Sequence, residues 1–378
     1  MSTDGYSHEI KQGPGHAPAR AMLRATGLDS AAIAKPLVAV VHAYSDVSPC
    51  NLNHRILAQE VRAGVQAAGG TPIEFNTVMV TDGIAMGTSG MRASLVSREV
   101  ITDSIELAVR GHCLDAVVVI CGCDKTIPAA AMALARLDRP GLMLSILPGH
   151  HAGRAITIQD VFEAVGAHAA GKISDEELSA IESSACPGAG ACGGQFTANT
   201  MALAATFLGL SPMGANDIPA RACGERVMAE LAAGRNARRY LTMEAFHNAI
   251  TAVTATAGST NAVLHLIAIA REAGLNLPLD AFDDISRRTP VLADLKPGGR
   301  FMAPDMHLAG GSRLLGQRLR EAGLLSEADT VSGQTLYTEI DAAQETAGQQ
   351  VIRTLAEPVK ARGGFGVCYG NLAPDGCV

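Results

Sequence analysis

The sequence predicts an α/β fold: a mainly parallel sheet flanked by helices in three α/β/α layers, with further helices added. Two observations carry this. Short apolar runs at Lys35 to His42, Ala116 to Ile120 and Leu142 to Leu147 read as strands, and the unbroken β-branched run Ala116 to Ile120 has the composition of one buried on both faces. Each run hands over through a turn rich in Gly, Pro, Asn, Asp or Cys to a stretch of helical period. Strand, turn and helix alternate at short spacing, which implies right-handed βαβ units and parallel neighbours.

In chain order, an irregular N-terminal arm carries a short helix from Pro18 to Thr26. After the first strand, the turn Ala43 to Asn51 leads into a helix from Leu52 to Ala68, stopped by Gly69-Gly70. Thr71 to Val80 reads as the second strand, ending at Thr81-Asp82-Gly83. A helix near Gly90 to Val109 follows, with Met91, Leu95, Val100, Ile105 and Leu107 as its apolar positions. The third strand, Ala116 to Ile120, runs into Cys121-Gly122-Cys123-Asp124-Lys125. A helix of Ala, Met and Leu starts around Pro128. The fourth strand ends at Pro148-Gly149-His150-His151, a histidine pair read as a solvated loop.

Residues 157 to 183 read as helical. A glycine-rich loop spans Cys186 to Gly194, and Gln195 to Leu208 is a helix. Residues 217 to 275 are largely helical with a break at Ala257 to Asn261, and 295 to 350 mix loops with short helices. From about Gln349 the pattern alternates and carries turn signals. The expected organisation is therefore an α/β domain over 1–348 and the first strands of a β-rich domain over 349–378.

Hydrophobic residues make up 48% of the 378, enough for a large core. Aromatics make up only 3%, with no Trp, so Ala, Val, Leu and Met must supply the packing. The net charge of −7 is spread without a basic block, which argues against a nucleic-acid partner. No apolar run reaches the length of a membrane span, and the N-terminus has no apolar core behind a basic start. A cytoplasmic protein without membrane attachment is the expectation. The nine cysteines are then expected to be free.

Three of them occupy similar places. Cys50 follows the first strand, Cys123 the third, and Cys192 sits in the glycine loop before a helix. Turns at one edge of a doubly wound sheet can converge, and that edge is where such folds bind ligands. Asp82 and Asp124 fall at the same edge. The inference is three soft sulfur donors beside hard oxygen donors. Three thiolates on an iron–sulfur cluster leave an iron open as a Lewis acid, and a carboxylate pocket suits Mg²⁺. From the residues alone, other readings stay open. Buried cysteine is common, Asp82 is also an ordinary turn residue, and Lys125 could bind a plain anion. Cys113, Cys121 and Cys223 are assigned to the core. The string Gly188 to Gly193 matches G-x-G-x-x-G, but no strand precedes it and it is set aside as a dinucleotide site.

Several longer motifs occur in order: RAMLRATGL, FNTVMVTDGIAMGTSGM, CGCDKTIPAAAMA, ESSACPGAGACGGQFTANTMA, GSTNAVLHL and GFGVCYGNLAPDGCV. Together they resemble the dihydroxy-acid and phosphogluconate dehydratase family nearly end to end. FTANTM and GSTNAVLHL favour the dihydroxy-acid members over the sugar-acid ones. The resemblance implies that Cys50, Cys123 and Cys192 hold a [2Fe-2S] cluster, SPCN being the feature of the [2Fe-2S] members. It implies that Asp82 and Asp124 hold Mg²⁺, joined by Lys125 as a carbamate. It implies dehydration of a 2,3-dihydroxy carboxylic acid of the 2,3-dihydroxy-3-methylbutanoate type to a 2-oxo acid in valine and isoleucine biosynthesis, in a homodimer. The family's serine base and a further glutamate ligand match nothing before residue 378, which implies a truncated chain, inactive alone. The sequence departs from the family at His42, often Asn there, at Gln195, often Met, and in the loop ILPGHHAGR. The alternatives are a sugar-acid dehydratase, a non-catalytic iron–sulfur or redox-sensing protein, or a structural zinc protein. Cys121-Gly122-Cys123 lacks the spacing that zinc sites use.

Overall fold

The structure, a computed structural model, describes residues 5–145, 156–186, 188–214 and 219–378. Its centre is a four-stranded sheet: β1 (Leu37–His42), β2 (Thr71–Asn76), β3 (Ala116–Cys121) and β4 (Gly141–Ser145). The order is β2-β1-β3-β4 and all neighbours are parallel. The crossovers are α1 (His54–Ala67), α2 (Arg92–Gly111) and α3 (Thr126–Leu137). The strand order reverses direction after β2, so α1 lies on one face and α2 and α3 on the other. β1, β3 and β4 are buried along their whole length, as unbroken apolar runs require.

β2 stops at Asn76, four residues short of the expected end. Its partner β1 turns away at Ala43, so Val78 and Val80 have no ladder to join. Thr77 closes the edge by donating its N–H to the His42 carbonyl at 2.8 Å. Asp82 therefore sits beyond the strand, opening a four-residue helix, Asp82–Ala85.

Every residue of α3 except Arg136 is buried. A helix apolar all round needs cover all round. The sheet supplies one side. Three helices supply the other: α2, α6 (Thr197–Phe207) and α9 (Asn261–Glu272), with α8 (Met243–Ala255) packed against α6. Between β4 and α6 lie α4 (Ile158–Ala169) and α5 (Asp175–Ala185). The stretch 157–183, read as helical, forms two helices. The break falls at Ser174, whose hydroxyl caps Glu177 N–H while the Glu177 carboxylate returns to Ser174 N–H. α7 (Ala220–Ala232) packs on α1 across the first face. They approach closely because both carry glycine at the crossing. A Cβ on Gly224 would stand 2.1 Å from the Val61 carbonyl, and one on Gly64 would stand 1.9 Å from the Arg221 carbonyl.

Two further expectations need correction. The buried stripe of α2 runs through Ser97, Ile101, Ile105 and Val109, whereas Leu95, Val100 and Leu107 are exposed. Two apolar stripes compete on this helix, and the one carrying Ile101 and Val109 meets α3. Cys121 and Cys223 are buried as expected, but Cys113 is only half-buried, in a left-handed residue that ends the α2 turn. All nine cysteines are unpaired. At the C-terminal end, β5 (Cys368–Gly370) and β6 (Ala373–Cys377) form an antiparallel hairpin. Val351, Ile352 and Phe365, which precede it, are buried against the main core. His150-His151 and the rest of the loop after β4 lie outside the described residues, as does Pro187. Among the described residues no helix is long and apolar enough to cross a membrane.

Candidate metal and cluster centre

The three cysteines meet at the C-terminal edge of the sheet. Cys50 lies in the single 3₁₀ turn Pro49–Asn51 after β1, and its thiol lies against those of both Cys123 and Cys192. Local bonds fix each turn. In the β1 turn, Asn51 Nδ2 donates to the Ala43 carbonyl at 2.6 Å. In the β3 turn, the Thr126 hydroxyl accepts from Cys123 N–H at 2.9 Å and donates to the Cys123 carbonyl at 3.0 Å. In the glycine loop, Asn199 Nδ2 donates to the carbonyls of Cys192 and Gly194, each at 2.6 Å.

The turns are also tied to one another. Gly190 N–H donates to the Pro49 carbonyl at 2.9 Å, which joins the glycine loop to the Cys50 turn. The Cys50 carbonyl stands so close to Gly122 that a Cβ there would lie 2.4 Å from it. Only glycine between Cys121 and Cys123 permits this approach. The far side of the glycine loop is held by Gln195 N–H on the Lys296 carbonyl and Ala303 N–H on the Gly193 carbonyl, each at 2.7 Å.

Beside the thiols lie Asp82, Asp124 and Lys125. Lys125 Nζ is 2.7 Å from Asp82 Oδ2 and 2.5 Å from Asp124 Oδ2, and Lys125 is buried. The Ser94 hydroxyl donates to Asp82, and Cys123 Sγ is 3.2 Å from Asp124 Oδ1, which links the two halves of the site.

The electrostatics follow from this crowding. Burial and the Asp82 carboxylate push Asp124 up to about 6. Burial acts the same way on Asp82, but hydrogen bonds with Asp124, Lys125 and Ser94 outweigh it and hold that carboxyl low. Burial works against the Lys125 ammonium, yet the two carboxylates win and raise its pKa. The Cys50 thiol is driven far up by Cys123, Cys192 and burial. Cys192, hydrogen-bonded by Cys50, is lowered. The Cys50 and Cys192 thiols are hydrogen-bonded to one another, so that pair titrates as a unit.

No three His, Cys, Asp or Glu side chains among the described residues gather around one point closely enough for a single metal ion. A binuclear cluster does not need that, since its thiolate ligands divide between two irons. The oxygen site meets a sharper condition. A cationic group, the Lys125 ammonium, already sits between two carboxylates, so the pocket is shaped and charged for positive charge. The donor chemistry fits both groups: soft sulfurs on one side, hard oxygens on the other.

A family model described as the N-terminal region of dihydroxy-acid/6-phosphogluconate dehydratases matches residues 35–339. The chain belongs to this dehydratase family. Curated relatives named dihydroxy-acid dehydratase agree. The Koribacter versatilis protein is 54% identical over 98% of this chain and 67% of its own length. The Roseiflexus castenholzii protein is 51% identical over 100% and 70%, and a Thermus thermophilus protein 51% over 98% and 70%. All six residues singled out in the sequence lie within the region matched to the dehydratase family, and the structure brings all six together. Reading the sequence missed their supports: Ser94, Asn199, Thr126 and Gly122. Thr126 and Gly122 were within reach, as a Ser/Thr-turn position and a glycine flanked by two cysteines. Ser94 and Asn199 belong to no turn motif: each reaches back over a turn of irregular length, Ser94 to Asp82 and Asn199 to the carbonyls of Cys192 and Gly194.

Proposed function

We propose that this chain is a hydro-lyase of 2,3-dihydroxy carboxylic acids, yielding 2-oxo acids, a reading supported by relatives named dihydroxy-acid dehydratase. The observation that carries the reading is the junction of three thiols from three separate turns with an Asp82–Lys125–Asp124 oxygen site. In this reading Cys50, Cys123 and Cys192 hold a [2Fe-2S] cluster. Asp82 and Asp124 hold Mg²⁺ together with Lys125, whose amine becomes an anionic oxygen ligand once carbamylated by CO₂. Held there, the two groups would act as paired Lewis acids, easing departure of the 3-hydroxyl and acidifying the C2 proton.

The chain's own part is arrangement. Ser94 orients the Asp82 carboxylate, and Asp124, in contact with Cys123, sets the two subsites side by side. A substrate with adjacent hydroxyls beside a carboxylate spans soft and hard donors at once, whereas an electron-transfer protein has no use for the hard ones. Burial of Lys125 and Cys123 keeps bulk water from competing for the substrate oxygens. The dihydroxy acid of branched-chain amino acid synthesis is the substrate this reading favours. A sugar acid is the second reading, because the family description spans both. We take the assembly to be a homodimer in the cytoplasm. The exposed Leu95, Val96 and Val100 of α2 support a protein contact, and nine free thiols support a reducing compartment.

The test is anaerobic reconstitution with ferrous iron and sulfide, then Mg²⁺. Equal iron and labile sulfide should be retained, and Cys50→Ala, Cys123→Ala or Cys192→Ala should each abolish retention. Adding 2,3-dihydroxy-3-methylbutanoate should perturb the electron paramagnetic resonance of the reduced cluster more than an aldonic acid does. A reversed preference favours the second reading. Failure of the unmutated chain to retain iron, or indifference to all three alanines, refutes both. Sedimentation equilibrium reads the dimer.

A further inference from the structure

His54 is the first residue of α1 and fully buried. Its two ring nitrogens have different surroundings. Nδ1 accepts a hydrogen bond from Ala43 N–H at 3.2 Å, at the point where β1 ends. A ring nitrogen that accepts from an amide carries no proton, so the neutral ring holds its proton on Nε2. Burial, with His42 nearby, lowers the imidazole to about 3, so the neutral form is the one present at ordinary pH.

The Nε2–H has no hydrogen-bond partner among the described residues. Its place is well defined. An atom at the Cβ position of Gly122 would lie 3.3 Å from Nε2 and 2.4 Å from the Cys50 carbonyl. The donor therefore sits where the Cys50 turn crosses the Cys121-Gly122-Cys123 turn, between two of the three thiol-bearing segments. The Cys50 backbone interacts with the ring without completing a bond to Nε2. An N–H buried at no solvent exposure and left unpaired is costly and calls for an acceptor. Resting on the cluster reading above, the acceptors that arrive at this crossing are anionic sulfurs.

We propose that His54 is a positioning residue of the cluster centre, its Nε2–H being a neutral donor held for the sulfur environment on the Cys50 side. It has two effects. It fixes the approach of the Cys50 turn to the Gly122 turn, and it withdraws electron density from the sulfur it meets. Donors to cluster sulfurs raise the reduction potential.

The test uses the reconstituted chain and two variants. H54N keeps an acceptor near the Nδ1 position for Ala43 N–H and loses the distal donor. H54Q can place an N–H near the Nε2 position. H54N is expected to load a cluster with a lower midpoint potential and shifted Fe–S stretching bands, and H54Q to recover part of both. In the unmutated chain with labelled imidazole nitrogen, electron–nuclear double resonance of the reduced cluster should show an exchangeable proton on a histidine nitrogen. That measurement decides the matter even if H54N does not fold. An H54N cluster with unchanged potential and bands, or no histidine-coupled proton in the unmutated chain, overturns the proposal and leaves the cluster reading intact. If the unmutated chain loads no cluster, the cluster reading falls and takes this proposal with it.

Discussion

Gly122→Ala is the smallest change that tests the architecture of the centre. The added methyl carbon would lie 2.4 Å from the Cys50 carbonyl oxygen and 3.3 Å from His54 Nε2. Reaching even 3.0 Å from the oxygen requires a retreat of about 0.6 Å, since an uncompressed methyl–oxygen contact is wider still. The carbonyl is backbone and cannot swing aside. Its turn is further anchored by Asn51 on Ala43 and by Gly190 on Pro49. The strain must therefore move the Cys50 turn bodily away from Cys123. Overpacking of this kind costs about 1–3 kcal/mol, which is about 2–12 °C in Tm at ~2–4 °C per kcal/mol. Sites that need sub-ångström placement lose more than stability when their ligands part. The assay pairs calorimetric melting of the apo chain with iron and sulfide counts after reconstitution. A lowered Tm together with reduced cluster retention is expected. An alanine variant that melts and loads like the parent would refute the claim that these turns are in tight contact.

Lys125→Met leaves Asp82 and Asp124 facing each other without their shared cation. Breaking a buried pair in this way costs about 3 kcal/mol near neutral pH, and the loss should shrink as the carboxylates protonate, read as the difference in denaturant midpoint at pH 7 and pH 4.5. Two buried histidines make the fold acid-labile. His54 and His265 have folded pKa values of about 3 against 6.5, so between those values the unfolded chain binds protons that the folded chain does not. Stability is therefore full above about pH 6.5 and falls as the pH drops, by about 3 kcal/mol per histidine at pH 4. Equilibrium urea unfolding from pH 7 to pH 4 measures it, and a flat profile would contradict the burial of both rings. Leu134→Ala empties part of the fully covered face of α3 and should cost about 2–5 kcal/mol in the same assay, with the cluster still retained.

β1, β3 and β4 were legible in the sequence because they are buried on both faces, so hydrophobicity alone marks them. β2 was overread because Val78 and Val80 continue an alternating pattern after the partner strand has turned away. Pairing, not propensity, ended that strand. The apolar stripe of α2 was misassigned because its residues offer two candidate faces and only α3, elsewhere in the sequence, selects between them. The break at Ser174 follows from a capping box that helical period conceals. At the site, the three cysteines and two aspartates were legible as residue types in turns expected at one sheet edge, and Lys125 only through the family resemblance. Their supports were not: Ser94 and Asn199 reach back across irregular turns that no motif marks, and the Lys296 carbonyl comes from a distant part of the chain.

The glycine loop that carries Cys192 has its far side clamped by Lys296 and Ala303, about a hundred positions downstream. A nascent chain emerging from the ribosome has Cys50 and Cys123 in hand long before it owns that clamp. In the cluster reading proposed above, loading would then follow folding rather than guide it, because the pocket for Cys192 closes only when the downstream clamp has been made.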